Sequence, residues 1–292
     1  MSEPVVTARH LGKTIGAHTI LRDVSVDVSP GSVVGIIGKN GAGKTTLMEI
    51  LLGFSPATTG SSTLFGADSF TLPAALKGRI GFVPQQDELV NTLTGGEQVS
   101  LVAALHGRWN HALIGRLQRD WDVPMDRAIQ NLSGGERQKL STLLALGHEP
   151  ELLMLDEPVA ALDPLARRQF LQQLLEITAE RQRTVLFSTH IISDLERVAD
   201  QIWIVRDGAL VWHGALDDLK ETVVRLRIHA RQALPVPLPL RGVISQQVSG
   251  ERASAVVSHW SESEHARVRE ALDAQIDVES LSLEDLFVEL HS

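Results

Sequence analysis

A glycine-rich stretch with the sequence GKNGAGKTT, at residues 38–46, directly follows the apolar run at residues 33–37. It matches the spacing G-x-x-x-x-G-K-[ST], in which successive backbone N–H groups turn inward around phosphate oxygens. A strand, this loop and a helix in that order predict a site for a nucleoside triphosphate, although a glycine-rich turn that only caps a helix would satisfy part of the pattern. The residues assigned to the loop are Gly38, Lys39, Asn40, Gly41, Ala42, Gly43, Lys44, Thr45 and Thr46.

Two side chains of this loop carry specific chemistry. The ammonium of Lys44 adds a positive charge for the β and γ phosphates, and the hydroxyl of Thr45 is placed to ligate Mg²⁺. The helix that begins here directs the positive end of its dipole at the bound anion. The expected ligands are therefore a nucleoside triphosphate and Mg²⁺.

Composition excludes several classes of protein. The 292 residues contain no cysteine, which excludes disulfides, cysteine metal sites and thiol nucleophiles. No apolar run approaches the roughly 18 to 20 residues that cross a bilayer, and the N-terminus lacks a signal-peptide core, so we expect a soluble, unexported chain. The net charge is −9, whereas a nucleic-acid binder normally has a basic surplus. The arginines at positions 167, 168, 181 and 183 are interpreted as one solvated helix face, and no nucleic-acid partner is expected.

Short strands alternate with helices along most of the chain. Apolar runs at residues 33–37, 151–155 and 184–188 predict buried strands, and the segments 164–181 and 191–199 predict helices. Such alternation is typical of a parallel sheet covered by helices, in which ligands lie at the carboxyl ends of the strands. The phosphate loop, the Asp-Glu pair at 156–157 and a histidine at 190 all occupy such ends.

Further motifs follow the phosphate loop in a fixed order: FVPQ ending at Gln85, LSGGE at 132–136, LLMLDEP at 152–158, ALD at 161–163 and STH ending at His190. With these motifs the chain resembles the ATP-binding cassette (ABC) ATPases over residues 4–222. The resemblance implies an α/β P-loop NTPase cassette, with a mixed sheet flanked by helices and a helical subdomain at about 86–147. Residues 1–222 would form this ATPase domain, and residues 223–292 a small α+β C-terminal domain.

The resemblance also implies roles for individual residues. Asp156 ends a buried strand, where burying a charged carboxylate costs free energy unless it binds a cation or accepts hydrogen bonds. A Mg²⁺ ion bound by Asp156 together with Thr45 and Gln85 would offset that free energy. Glu157 would polarise the attacking water, because phosphoryl transfer needs an oriented nucleophile; a salt-bridged glutamate is the alternative. His190 would hold Glu157 and the water in place, and a surface-loop histidine is its alternative. The expected catalytic side chains are Lys44, Glu157 and His190.

The LSGGE segment permits two interpretations that can hold together. Ser133 and Glu136 form S-x-x-E, a capping box at the start of a helix. In the ABC family this helix end binds the γ-phosphate held by the opposite subunit, and here the matching residues are Ser133, Gly134, Gly135 and Glu136. Asp163 is an N-cap before a proline and is also expected at the subunit interface. A second cassette subunit, arranged head to tail, is therefore an expected partner.

The adenine site departs from the family pattern. The family usually places a tyrosine where this chain has residues 13–16, and the chain contains no tyrosine. Ile15 offers apolar contact without stacking, so we expect weaker ATP affinity and poor discrimination among nucleobases. His10 or His18 could supply the stacking instead.

The C-terminal segment SLEDLF at 282–287 is similar to the closing helix of bacterial exporter-type ABC ATPases. The resemblance implies the motor subunit of a membrane exporter, peripheral on the cytoplasmic face and paired with a separate transmembrane permease subunit. Three alternatives stay open: a helix that only stabilises a dimer, an ABC ATPase that works on DNA or the ribosome, and a regulatory ABC pair that moves no cargo.

Overall fold

A computed structural model describes residues 3–179, 183–258 and 260–290. Its internal contacts divide the chain into two compact units, Met1–His213 and Gly214–Ser292, whereas the sequence analysis places a domain boundary after residue 222. Each unit has its own hydrophobic core. Among the described residues, no helix combines the length and the apolar character that crossing a bilayer would require.

The first unit contains two sheets. Its strands are β1 (Val6–Ile15), β2 (His18–Val28), β3 (Val33–Ile37), β4 (Thr59–Leu64), β5 (Ala67–Asp68), β6 (Ile80–Val83), β7 (Leu152–Asp156), β8 (Thr184–Thr189), β9 (Gln201–Arg206) and β10 (Ala209–Ala215). A four-stranded antiparallel sheet has the order β2-β1-β4-β5, and a six-stranded sheet has the order β10-β9-β3-β8-β7-β6. The predicted α/β fold with a mixed architecture and flanking helices is confirmed.

Parallel pairing in the six-stranded sheet places the predicted site residues at one edge. Strand β3 pairs in parallel with β8 and β9, and β7 pairs in parallel with β6 and β8. Every residue of β7 and of β8 is buried, as expected for apolar strands covered on both faces. The carboxyl ends of β3, β7 and β8 therefore bring the phosphate loop, Asp156 and His190 to the same edge.

Seven α-helices belong to the first unit in the described ranges: α1 (Lys44–Leu51), α2 (Ala74–Lys77), α3 (Gly95–Leu105), α4 (His111–Asp120), α5 (Gly134–Leu146), α6 (Pro164–Ala179) and α7 (Ile192–Val198). Helices α3, α4 and α5 form the helical insertion between β6 and β7. Each begins at a side-chain cap, because Thr94, Asn110 and Ser133 each accept a backbone N–H. Trp121, after α4, packs against Phe170 of α6 with ring centroids 4.8 Å apart.

Two sequence expectations need correction or lie outside the described residues. Arg183 does not lie on a solvated helix face. It immediately precedes β8, is only 4 % exposed, and donates hydrogen bonds to the carbonyl oxygens of Pro150 and Ile177, both at 3.1 Å. Carbonyls from the last turn of α6 and from the segment before β7 therefore hold this guanidinium inside the protein. Residues 180 and 181, the predicted end of α6, lie outside the described residues.

The second unit is a small α+β structure. Its elements are α8 (Leu216–Thr222), β11 (Val224–Ala230), β12 (Val243–Ser249), β13 (Arg252–Val257), α9 (Glu262–Leu272), β14 (Ala274–Ser280) and α10 (Leu283–Leu290). The sheet is antiparallel with the order β12-β13-β11-β14. Alternate residues of β11, such as Leu226 and Ile228, are completely buried in a core that includes Val268 of α9.

Candidate active site

The phosphate loop joins β3 to α1 through residues that require glycine. Gly41 and Gly43 have φ angles of 81° and 105°, in the left-handed region that side chains disfavour. A Cβ atom on Gly38 would lie 2.5 Å from the carbonyl oxygen of Val205. Gly43 is the N-cap of α1 and supplies no side-chain cap, so the first N–H groups of the helix remain available to an anion.

Lys44 is folded back over this loop. Its Nζ donates hydrogen bonds to the carbonyl oxygens of Gly38, at 2.8 Å, and Lys39, at 3.3 Å. The side chain is only 5 % exposed, and its Nζ lies 3.6 Å from Oε1 of Glu157. The loop therefore holds a buried positive charge beside a buried carboxylate from the end of β7.

Asp156 and Thr45 form the contact expected of a magnesium site. The Thr45 hydroxyl donates to Oδ2 of Asp156 at 2.6 Å, and the Ser188 hydroxyl donates to Oδ1. Asp156 is 1 % exposed, and among the described residues it forms no ion pair with a basic side chain. A buried carboxylate that accepts hydrogen bonds from two hydroxyls fits a hard cation, and Mg²⁺ is usually bound through one or two carboxylates together with substrate phosphates.

Glu157 occupies an unusual backbone position next to Asp156. Its φ angle is 50°, and its N–H donates to the Ser188 hydroxyl at 2.9 Å. Oε1 faces Lys44, and Oε2 lies 3.2 Å from Nδ1 of His190, whose ring is 46 % exposed. The carboxylate is thus fixed between a buried ammonium and an imidazole that solvent reaches.

Gln85 and the residues near the expected adenine site have fewer contacts. Gln85 is exposed beyond the end of β6, and no hydrogen bond joins it to Thr45 or Asp156 among the described residues. Ile15, which ends β1, is 57 % exposed and pairs with His18 across a tight hairpin. The roles assigned to these side chains stay predictions.

His10 has a structural partner of its own. Its Nδ1 lies 2.6 Å from Oδ1 of Asp23, and its φ angle is 50°. Its backbone N–H donates to the Ser25 hydroxyl at 2.8 Å. These contacts place the His10 ring beside Asp23, and the part of either His10 or His18 in stacking stays a prediction.

The LSGGE segment at residues 132–136, hereafter called the signature, forms the predicted capping box. The Glu136 N–H donates to the Ser133 hydroxyl at 3.3 Å, and the Ser133 N–H donates to Oε2 of Glu136 at 2.7 Å. Burial alone would raise the pKa of Glu136, but these hydrogen bonds and the ion pair with Arg127 outweigh it and lower that pKa. A Cβ atom on Gly135 would lie 2.9 Å from Cδ2 of Leu162, so the signature packs closely on the ALD segment.

Asp163 caps helix α6. Its Oδ1 accepts the N–H groups of Leu165 and Ala166, both at 3.0 Å. The hydrogen bond from Ala166 is the largest of the effects that lower the pKa of Asp163. The carboxylate is therefore ionised at neutral pH, and its part in a subunit interface stays a prediction.

Sequence reasoning missed two connections around this site. One is Ser188, which bridges the Asp156 carboxylate and the Glu157 backbone. The other is Arg137 of α5, whose Nε and Nη2 donate to the two carboxylate oxygens of Asp87 at 2.8 and 2.5 Å. The partners in both pairs are far apart in sequence, although Ser188 is the first residue of the STH motif and Asp87 lies two residues after the FVPQ motif.

Comparisons with known proteins agree with this geometry. The family model described as ABC transporter matches residues 21–160. The ABC transporter ATP-binding protein NatA of Bacillus subtilis is 33 % identical over 214 residues, covering 69 % of this chain and 84 % of the relative. The Nod factor export ATP-binding protein I of Burkholderia lata is 30 % identical over 292 residues, covering 97 % of this chain and 95 % of the relative.

Solved structures give the same result. A dimeric ATP-binding cassette in a post-hydrolysis state, bound to ADP and Pi, is 25 % identical with a TM-score of 0.65, covering 72 % of this chain and 98 % of that one. The chain belongs to the ABC transporter family of ATP-binding proteins. It is an ATP-binding and ATP-hydrolysing motor subunit of a transporter.

Proposed function

We propose that this chain drives an exporter as one member of a head-to-tail pair of cassettes, coupled to a separate transmembrane permease on the cytoplasmic face of the membrane. The export assignment is supported by the Nod factor export protein, whose name states its direction and whose similarity extends over 97 % of this chain, including the second unit. The net charge of −9 favours a protein partner over nucleic acid.

The position of the Glu157 carboxylate is the main support for the proposed mechanism of ATP hydrolysis. Its carboxylate lies between the Lys44 ammonium and the His190 ring, next to the contact between Thr45 and Asp156. Thr45 and Asp156 would hold Mg²⁺, which supplies positive charge to phosphate oxygens when bound. Glu157 orients the attacking water and accepts its proton, while Lys44 stabilises the charge that develops on the transferred phosphoryl group.

The signature supports the need for a second subunit. Its helix N-terminus carries a capping serine and two glycines, a combination suited to binding an anion. No hydrogen bond in the described part of the chain links Ser133 or Glu136 to Lys44 or Thr45. A partner that supplies its own signature to the phosphates would complete each site, with ATP enclosed between the subunits.

An aromatic pair with one exposed ring, that of Phe54, is a candidate contact for the permease. Phe54, which follows α1, is 64 % exposed, and its ring meets that of Phe82 edge-on with centroids 5.4 Å apart. Phe82 lies in β6, the strand that leads to Gln85. An apolar segment of the membrane subunit that binds here would contact both the phosphate-loop helix and the strand before Gln85.

The test is transport by the purified chain reconstituted with its permease in sealed vesicles. We expect ATP-dependent cargo movement that stops in Glu157→Gln and persists in Glu176→Gln, which removes an exposed carboxylate of α6 outside the site. ATP hydrolysis coupled to the permease without any cargo flux would instead favour the regulatory alternative. Flux that survives in Glu157→Gln would remove Glu157 from its assigned role.

A further inference from the structure

Ser188 connects the two acidic residues of the site through one hydroxyl. It lies in β8, opposite Asp156 in the parallel register with β7, and its side chain is completely buried. The hydroxyl donates its hydrogen to Oδ1 of Asp156 and accepts the backbone N–H of Glu157 at 2.9 Å. The side chain therefore donates one hydrogen bond and accepts another within the active site.

The bond to Asp156 fixes the orientation of that carboxylate. Oδ1 accepts a hydrogen bond from Ser188, and Oδ2 accepts one from the Thr45 hydroxyl at 2.6 Å. These two hydrogen bonds together restrain rotation of the carboxylate plane. The two hydroxyls come from different elements, since Ser188 lies in β8 and Thr45 in the first turn of α1. The oxygen facing Thr45 is consequently presented in a constant direction.

The bond from Glu157 stabilises an otherwise unfavourable backbone conformation. A φ angle of 50° is uncommon for a residue with a side chain, and such strain persists only where surrounding contacts hold it. The Ser188 hydroxyl provides such a contact at the N–H, and the carbonyl of Glu157 accepts the N–H of Ala160 at 3.2 Å. This backbone angle determines where the Glu157 carboxylate points.

We propose that Ser188 is a positioning residue that sets the affinity of the site for its divalent metal and the alignment of Glu157 for hydrolysis. The inference rests on the magnesium-supported hydrolysis proposed above. Side chains that orient metal ligands typically contribute about 10- to 100-fold in metal affinity or activity. A serine that served only to satisfy buried polar atoms would affect stability without a specific effect on the metal.

The experiment compares Ser188→Ala, which removes the hydroxyl, with Ser188→Cys, which keeps a weaker donor of similar size. Ser69→Ala is the matched control, because Ser69 is 2 % exposed and its hydroxyl has no hydrogen-bond partner among the described residues. Binding of Mn²⁺ is measured by electron paramagnetic resonance in the presence of a non-hydrolysable ATP analogue. Binding of the analogue without metal is measured separately by fluorescence and reports on the folded phosphate loop.

We expect the dissociation constant for Mn²⁺ to rise about tenfold or more in Ser188→Ala and by less in Ser188→Cys, with metal-free nucleotide binding unchanged. The maximal hydrolysis rate at saturating Mg²⁺ should also fall in Ser188→Ala, because Glu157 loses its alignment. The Ser69→Ala control should match the parent in every measurement.

Three results would overturn the inference. One is a Mn²⁺ affinity in both Ser188 variants equal to that of the parent. A second is a loss of metal-free nucleotide binding as large as the loss of metal binding, which would indicate a general structural role. The third is unfolding of both variants. If the parent itself hydrolysed ATP without a divalent metal, the proposed function would fail instead, so the two failures are distinguishable.

Discussion

The Nζ atom of Lys44 lies 3.6 Å from Oε1 of Glu157, and both side chains are more than nine-tenths buried. This contact joins the loop that follows β3 to the residue that follows β7. A buried charge requires a nearby opposite charge, so each of these groups lowers the cost of burying the other. The same pair then faces the position where phosphate and water would react.

Replacing Lys44 should separate this pair and disable the site. We expect Lys44→Met to lower the rate of ATP hydrolysis by about 10²- to 10³-fold, since removal of one group that stabilises developing charge has effects of that size. Lys77→Met, at an exposed position at the end of α2, is the control and should hydrolyse ATP at the parent rate. Steady-state phosphate release is the measurement, and a Lys44→Met rate within threefold of the parent would refute the assignment.

A glycine outside the motifs should also affect ATP binding. Gly208 has a φ angle of 79°, a Cβ atom there would lie 2.1 Å from the carbonyl oxygen of Ile20, and its N–H donates to the Ala42 carbonyl at 3.1 Å. We expect Gly208→Ala to displace this turn, destabilise the first unit by about 1 to 3 kcal/mol and weaken ATP binding.

The control for Gly208 is Gly107→Ala, where an added Cβ has open space. Urea unfolding and nucleotide titration measure the two effects. Parent-like ATP affinity in Gly208→Ala would show that the turn does not support the phosphate loop.

Ile15→Tyr tests whether the absence of the family's tyrosine at the expected adenine site weakens ATP binding. Ile15 is 57 % exposed at the tip of the β1–β2 hairpin, so a larger ring can be accommodated there without repacking a core. Stacking of a base on an aromatic ring is worth roughly 1 to 3 kcal/mol, and we expect ATP affinity to rise about five- to tenfold or more. Isothermal titration with ATP and GTP measures it, with Ile15→Leu as the control. Unchanged affinity would mean that the base does not lie over Ile15.

The stability of the first unit should depend on pH through His148. Burial, and secondarily the nearby His106, lowers the pKa of His148 to about 4, and its ring stacks on that of His106 with centroids 4.2 Å apart. Since the folded-state pKa is below the ordinary value of 6.5, the unfolded chain binds more protons. The contribution of neutral His148 to the free energy of unfolding is therefore fully present above pH 6.5. It is lost as the pH falls from 6.5 toward 4.

The loss should amount to at most about 3 kcal/mol over this interval. It should become smaller in His148→Gln, which cannot acquire a charge, and stay the same in His111→Gln, at an exposed position. Thermal unfolding between pH 4 and 8 measures the difference. An identical pH dependence in His148→Gln and the parent would contradict the prediction.

Much of this architecture could be predicted from local sequence. The apolar runs of β3, β7 and β8, the glycine loop before Lys44 and the S-x-x-E capping box at Ser133 each carry a periodicity or spacing with a direct physical cause. Parallel strands end at the same edge, so the convergence of Asp156 and His190 also followed from the predicted order of elements.

The remaining features depend on pairings that local sequence does not encode. Nothing in the STH motif indicates that Ser188 would lie opposite Asp156, because that requires knowing that β8 is the neighbour of β7. Arg183 was misassigned for a similar reason, since the carbonyls that bury it come from Pro150 and Ile177. The hairpin formed by β1 and β2, whose turn follows Ile15, was not predicted, because polar residues interrupt the apolar pattern of β1.

The most direct test of the account uses the absence of native cysteine. Asn40→Cys in the phosphate loop of one copy and Ser133→Cys in the signature of another are mixed, each in the hydrolysis-deficient Glu157→Gln background. We predict that ATP brings the two cysteines together, so that an added thiol oxidant such as copper phenanthroline joins the two different variants by a disulfide. The product is seen as a covalent dimer on non-reducing gels, while neither variant alone forms one under the same oxidant. The absence of that cross-link at every ATP and protein concentration, or its formation within a single chain carrying both cysteines, would contradict the head-to-tail arrangement.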